Sequence, residues 1–317
     1  MYPCTVIALD IGGTKIAGAL LHYEQEGVAP RVGERCNQST DARRGGAAVL
    51  RTVIDVALEL KSRASEEPVG IGIAAAGCIS PDDGSVLYAN DIMPGWTGQP
   101  LAMGVGDTCG LPCAAFGDVQ GHALGEARWG AAKGLSSCLL VAAGTGLGGA
   151  LVLDGKVVRG AHGASGHIGH TLHSAAAGIA CTCGAQAHVE NVTSGRGIGS
   201  LYQGVPESDP GYDFAVDGAE VSRRAAEGDE KAREAIERAG FALGQAMGSW
   251  ANMLDPEAFI LTGTVTKAGE LWRAAVERGF AEQALPPMGA PRILSAQLGG
   301  DAPLVGAAEN LLDSLKK

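Results

Sequence analysis

The sequence predicts an α/β chain built in two lobes of similar construction. Strands and helices alternate along its length. A unit of strand, glycine turn and strand occurs at 5–21 and again at 138–153. A chain of 317 residues suits two domains or two lobes, and 46% hydrophobic with 19% charged residues is globular composition. The 49 glycines are about double the usual share and follow no G-x-y period, so they point to tight strand connections rather than collagen.

The elements follow in order. Val6–Leu9 is a short apolar run ending at Asp10 and a Gly-Gly pair, and Ile16–Leu21 resumes it, which predicts a hairpin. Val49, Val53, Val56 and Leu60 share one face of a helix over 47–60. Val69–Ala75 and Ala114–Phe116 read as strands, and 119–128 as a helix. Leu139–Ala143 and Ala150–Leu153 are strands about the turn GTGLGG. Residues 218–253 read as mainly helical, 259–261 as a strand and 303–316 as a closing helix. No low-complexity linker appears, so the lobes are expected to meet at a hinge near Gly117-Asp118.

Composition excludes several classes of function. A net charge of −11 argues against a general nucleic-acid or anionic-membrane binder, while leaving room for a local cationic pocket. The opening MYPCTVIALDIGG has no basic n-region and is not expected to be a signal peptide. The uncharged stretch from Gly134 to Leu153 is long enough to span a bilayer, but its glycines favour strand, turn, strand. The eight cysteines lack a secreted-domain pattern, which predicts reduced thiols and a cytoplasmic chain.

Three constellations can carry chemistry. In Asp10-Ile11-Gly12-Gly13-Thr14-Lys15, glycines after a strand let amides approach phosphate oxygens, with a hydroxyl and a cation beside them. An ordinary hairpin turn would use the same glycines. The turn around Gly144, Thr145 and Gly146 is similar, and it is no dinucleotide fingerprint, because a strand follows where a helix should. Two such turns together suggest a nucleotide triphosphate tail. Asp118, at a strand end, can accept a proton from a hydroxyl, or can serve only as a helix N-cap. Five of seven histidines lie between 162 and 188, and His170, Cys181, Cys183 and His188 form a zinc-compatible set, unless they are unrelated loop residues. Four protein ligands leave no open position, so such a metal would be structural.

Together these motifs resemble the ROK family (repressors, open reading frames, sugar kinases). The pieces that match are ALDIGGTK at 8–15, GIGIAAAG at 70–77, NDIMPGW at 90–96, Asp118, GTGLGG at 144–149, GHIGH at 166–170 and CTCGAQAHVE at 181–190. The resemblance implies an actin/hexokinase-like (ribonuclease H-like) two-lobed fold, with ATP and Mg²⁺ in an interlobe cleft. It implies lobes of 1–117, closed by the helix 303–317, and of 118–302, carrying the zinc loop. It makes Asp118 the general base, and gives Gly77, Asn90, His167, His170 and Glu190 contacts to the sugar. Asp10, Gly12, Gly13, Thr14, Lys15, Gly144, Thr145, Gly146 and Gly263 would hold the nucleotide, with Zn²⁺ on His170, Cys181, Cys183 and His188. A cytoplasmic homodimer acting on small molecules, with no nucleic acid or membrane partner, completes the expectation.

Within the family, His167 in GHIGHTL and the run SGRGI at 194–198 resemble the bacterial branch that phosphorylates N-acetylmannosamine at its 6-hydroxyl, a step of sialic acid catabolism. Glucose-type members carry Glu where His167 stands. A glucokinase or another hexose kinase is the alternative. A repressor would carry a helix-turn-helix ahead of the first strand, and a non-catalytic sugar binder would not retain Asp10, Asp118 and both turns. Two departures stand out. Gly117 replaces a family Asn that contacts the sugar. Ala187 and His188 replace the last Gly and Cys of the zinc element, so the loop is expected to shift and Ala187 to resist a positive φ.

Overall fold

A computed structural model describes residues 2–90, 93–288 and 292–316. Asp91 and Ile92 of the NDIMPGW motif lie outside these residues. In chain order, β1 (Cys4–Ile11), β2 (Lys15–Tyr23) and β3 (Arg31–Ser39) lead to α1 (Gly46–Arg63), β4 (Ile71–Ala75), and the short pair β5 (Cys78–Ile79) and β6 (Val86–Tyr88). Then come α2 (Leu101–Cys109), β7 (Cys113–Gly117), α3 (Asp118–Trp129), β8 (Ser137–Ala143), β9 (Leu147–Leu153) and β10 (Lys156–Val157). Helices α4 (Glu190–Thr193), α5 (Gly195–Gln203), α6 (Gly218–Ala226) and α7 (Glu230–Leu254) precede β11 (Ala258–Thr262). The chain ends with α8 (Glu270–Gln283), β12 (Ile293–Ser295) and α9 (Ala302–Leu315).

The chain forms two compact units. The first holds Met1–Ser136, Ala150–Gly166 and Gln297–Lys317; the second holds Ser137–Gly149 and His167–Ala296. The division therefore falls after Ser136 and not at Gly117-Asp118. The reason is that α3 packs on α9 and β4, which keeps it with the first sheet.

In the first unit the strand order is β3-β2-β1-β4-β7. Strand β1 runs antiparallel to β2 and parallel to β4, and β4 runs parallel to β7. Its run of apolar residues splits by the strand period of two. Ile7, Leu9 and Ile11 join Val49, Val53, Val56 and Leu60 of α1 in one core, while Val6 and Ala8 join Leu304, Ala307 and Leu311 of α9 in the other. Both faces are covered, so the strand needs no polar alternation. The second five-stranded sheet has the order β10-β9-β8-β11-β12, with β11 parallel to β8 and β12. Helices α7 and α8 pack together, and Phe280 meets Phe259 of β11 edge to face at 5.7 Å.

Many glycines serve helix packing instead of turns. A Cβ on Gly306 of α9 would lie 1.9 Å from the carbonyl oxygen of Gly121 in α3, and one on Gly279 of α8 would lie 2.1 Å from that of Phe241 in α7. No substitution larger than hydrogen fits at either crossing.

Glu126 of α3 has no solvent exposure. Its carboxylate accepts the amides of Ala131, Gln297 and Leu298 at 2.7–3.0 Å. Removing it strands these donors, so Glu126→Ala is expected to lower the stability of the first unit by about 2 kcal/mol or more. The urea midpoint of the purified variant, measured at a constant m-value, checks this.

Candidate active site

The parallel pairing of β1, β4 and β7 sets their carboxyl ends side by side, with Asp10 opposite Ala74 and Ala75 opposite Gly117. Ligands of open α/β sheets bind at such strand ends. Asp10 is the penultimate residue of β1, and Asp118 opens α3 directly after β7. Burial, then the charge of Asp118, pushes the Asp10 carboxyl up to about 7 against the pull of Lys15. Asp118 is the first helical residue, not the N-cap. Gly117 holds the cap position and donates its amide to Gln120 Oε1 at 3.1 Å, while Asp118 Oδ1 accepts from Val119 N at 2.8 Å.

The sequence reading missed His122, one helical turn beyond Asp118 on the same face. Burial pushes its imidazole below the ordinary range, against the charges of Asp118 and Glu126, and Nδ1 has no hydrogen-bond partner among the described residues. The spacing of four on a helix beginning at Asp118 was the available signal.

The turn after β1 closes with Gly12 N–H donating to the Lys15 carbonyl at 2.9 Å, and Thr40 Oγ1 donates to the Gly12 carbonyl at 2.7 Å. Thr14 and Lys15 are exposed. Gly77 sits at φ +106° with the Tyr88 carbonyl 2.6 Å from where a Cβ would be, so the corner between β4 and β5 requires it. Asn90 is exposed, and its carbonyl accepts from Met93 N at 3.1 Å.

In the second unit, the turn between β8 and β9 lines a pocket of about 220 Å³ with Arg196, Phe214, Asp217 and Thr264. A Cβ on Gly144 would meet nothing in the protein, so the pocket side of this turn is open to a ligand. Two helices begin here, α5 capped by Ser194 and α6 capped by Asp217, and helix N-termini favour anions. Arg196 stacks on Phe214 with 5.5 Å between guanidinium carbon and ring centroid, and pairs with Glu207. Gly263, at φ +98°, crosses the Ala143 carbonyl at a distance no side chain would allow. Phe214 and Asp217 escaped the sequence reading because they stand in a loop without a motif; Asp217 before a helical run was the one trace.

His170, Cys181, Cys183 and His188 come together, every ligand atom within 4.8 Å of the others. His170 Nδ1 lies 3.1 Å from His188 Nδ1, Cys183 Sγ 3.4 Å from His188 Nδ1, and Cys181 Sγ 3.8 Å from His170 Nδ1. Tetrahedral zinc with ordinary bond lengths puts its ligands roughly 3.3–3.8 Å apart. Two of the three separations fall in that range and the donor types are those zinc takes, so the set fits the ion with a small adjustment between the two imidazoles. Burial pushes the Cys181 thiol up, so a nearby cation is what would hold it as thiolate. Ala187 takes φ +63° in this loop, so it adopts the left-handed conformation it was expected to resist, at a strain of about 1 kcal/mol or more. His167 is exposed, its ring stacked 6.2 Å from that of His170. Glu190 Oε2 accepts the Leu147 amide at 2.7 Å.

The fold and the two glycine turns define the actin/hexokinase-like class of α/β proteins. The sequence profile of the ROK family matches residues 6–313, and the chain belongs to that family, as a sugar kinase. It is 30% identical over 312 residues to a glucokinase of Halalkalibacterium halodurans, covering 95% of this chain and 92% of that one. It is 32% identical over 306 residues to an N-acetylmannosamine kinase of Escherichia coli O157:H7, covering 96% and 97%. The ROK hexokinase of Thermus thermophilus superposes with a TM-score of 0.83 at 28% identity, covering 98% and 99%. A ROK family glucokinase of Streptomyces griseus, in complex with glucose and AMPPNP, superposes with a TM-score of 0.76 at 28% identity, covering 96% and 98%. Among the described residues no helix is long and apolar enough to cross a membrane.

Asp10 gives a pH-dependent stability. Its folded value of about 7 exceeds the ordinary 3.8, so the folded chain holds the extra proton between these limits. Stability falls as pH rises through that window, and the full penalty applies above it. Asp10→Asn is therefore expected to be more stable than wild type at pH 8, by at most roughly 4 kcal/mol. The gap should close as pH falls towards 4. Thermal unfolding of both proteins across pH 4–8 measures it.

Proposed function

We propose that the chain transfers the γ-phosphoryl of ATP to the 6-hydroxyl of N-acetylmannosamine. The observation that carries the choice of sugar is His167, in the position where glucose-type members carry Glu. A neutral imidazole both donates and accepts, and is bulkier than a carboxylate, which suits an N-acetyl substituent better than a bare hydroxyl. Two glycine turns at strand ends fit a nucleotide's phosphates, and the Gly144–Thr264 pocket with its two helix N-termini fits the remainder of the nucleotide. Asp118 takes the proton of the attacking hydroxyl. Asp10 beside it, partly buried and relieved only in part by Lys15, fits a carboxylate that Mg²⁺ would keep ionised; the ion would supply charge neutralisation at the phosphates. Gly77, Asn90, His167, His170 and Glu190 contact the sugar. Gly117 offers no side chain where the family Asn would stand.

Zn²⁺ on His170, Cys181, Cys183 and His188 orders the loop, and by fixing His170 through Nδ1 it leaves the other ring nitrogen for the sugar. Metal-replete protein is expected to contain one zinc per chain, and Cys181→Ser to lose both zinc and thermal stability, since loop folding and metal affinity are coupled. Elemental analysis showing no stoichiometric zinc would remove the metal from this account.

Phosphorylation of N-acetylmannosamine, glucose, mannose, fructose and N-acetylglucosamine tests the whole reading. N-acetylmannosamine is expected to give the highest kcat/KM. His167→Glu should shift the preference towards unsubstituted hexoses by roughly 1–3 kcal/mol, and Asp118→Asn should cost about 10²–10⁴-fold in kcat. Better phosphorylation of glucose by the wild type would make the chain a glucokinase instead.

A further inference from the structure

We infer that Glu190 is a positioning residue for the nucleotide's phosphates, in addition to any contact it makes with the sugar. The inference rests on the reading of the Gly144–Leu147 turn as the phosphate-binding turn. Within that turn Gly144 N–H donates to the Gly146 carbonyl at 2.9 Å. Its two ends are held from outside. Gly195 N–H, at the start of α5, donates to the Gly144 carbonyl at 2.7 Å. Glu190 Oε2 accepts from Leu147 N at 2.7 Å, the short distance of a charge-assisted bond. The same oxygen lies 2.6 Å from where a Cβ on Gly146 would stand, so a side chain there would push the carboxylate aside. The face of the turn away from the pocket is thus filled by Glu190, and the pocket face is left to a ligand.

Glu190 also opens α4, two residues after His188, and the chain between is pinned. Val189 N–H donates to the Thr171 carbonyl at 2.9 Å, and Asn191 N–H to the His188 carbonyl at 3.1 Å. A short, bonded path therefore runs from the His170–His188 cluster through Glu190 to the Leu147 amide. Order in the cluster loop becomes order in the phosphate turn. Disturbing the loop should weaken nucleotide binding even when no sugar is present.

The test is direct titration of ADP and AMPPNP, without sugar, into metal-replete wild type, Glu190→Ala, Glu190→Gln and Gly144→Val, with KM for sugar measured alongside. Glu190→Ala is expected to raise the nucleotide Kd by roughly tenfold, the scale of one hydrogen bond to a charged group. Glu190→Gln keeps an acceptor oxygen and should restore nucleotide Kd to within a few fold of wild type, while its KM for sugar stays raised. Chelating the metal from wild type should raise the nucleotide Kd as Glu190→Ala does, and should add little in that variant, because both act on one path. The inference is overturned if nucleotide Kd is unchanged in Glu190→Ala while Gly144→Val weakens it. If Gly144→Val also leaves nucleotide affinity untouched, the turn is not the phosphate site, and the functional reading falls with the inference. A Glu190→Ala protein that fails to fold shifts the decision to the chelation arm, where an unchanged nucleotide Kd again overturns it.

Discussion

Glu126 of α3 has both carboxylate oxygens turned to backbone amides, two of them at Gln297 and Leu298, where the chain rejoins the first unit ahead of α9. Few arrangements make a buried charge so dependent on its surroundings. Four N–H···O bonds satisfy it, and any loss leaves either an unpaired carboxylate or unpaired amides in a dry interior. Gly130 shows how tightly the space is drawn, since a Cβ there would stand 2.0 Å from Glu126 Oε2. The helix held this way is the one that begins with Asp118. Its packing against α9 has no side chain at Gly121 or Gly306, so the two backbones meet almost directly. The position of Asp118 is therefore set by rigid contacts two turns away, and little freedom remains for the carboxylate to wander.

The strand ends of the first unit then concentrate negative charge. The charge of Asp118 opposes the ionisation of Asp10, and Lys15 gives only partial relief. Such a pair costs stability at neutral pH. Retaining it makes sense where a bound cation or phosphoryl chemistry uses it. His122 stands one turn along α3 from Asp118, and burial pushes its imidazole below the ordinary range.

What the sequence disclosed follows from which signals are local. β1, β2, β4, β7, β8, β9 and β11 were legible because buried strands are runs of apolar residues ended by glycine or aspartate. β3 was not, because it is an edge strand with mostly polar, exposed residues such as Arg31, Glu34 and Arg35. α2, LAMGVGDTC, carries two glycines and no charge in its first turn, so nothing local marks it as helix. Many of the glycines were read as turns, whereas Gly121, Gly279 and Gly306 are there for helix crossings that only tertiary structure reveals. In the candidate site, the ligand quartet was legible from residue type, and His122 and Phe214 were not, since their place depends on a helix face and on a loop's path.

The loop that carries Cys181, Cys183 and His188 shows how a departure from pattern can be absorbed. A histidine reaches farther than a cysteine, so placing His188 where a thiolate stood demands that its backbone retreat or turn. Ala187 immediately before it adopts φ +63°, and its carbonyl accepts the His173 amide at 2.9 Å while its own amide donates to the Ile179 carbonyl at 2.9 Å. These bonds hold the left-handed conformation despite the methyl group. They also leave His188 turned inward, buried, with Nδ1 among the other three donor atoms. A thiolate exchanged for an imidazole removes one negative charge from the quartet, so a divalent ion bound by two thiolates and two neutral imidazoles would be neutral overall. Glu190, two residues on, turns its carboxylate to the Leu147 amide.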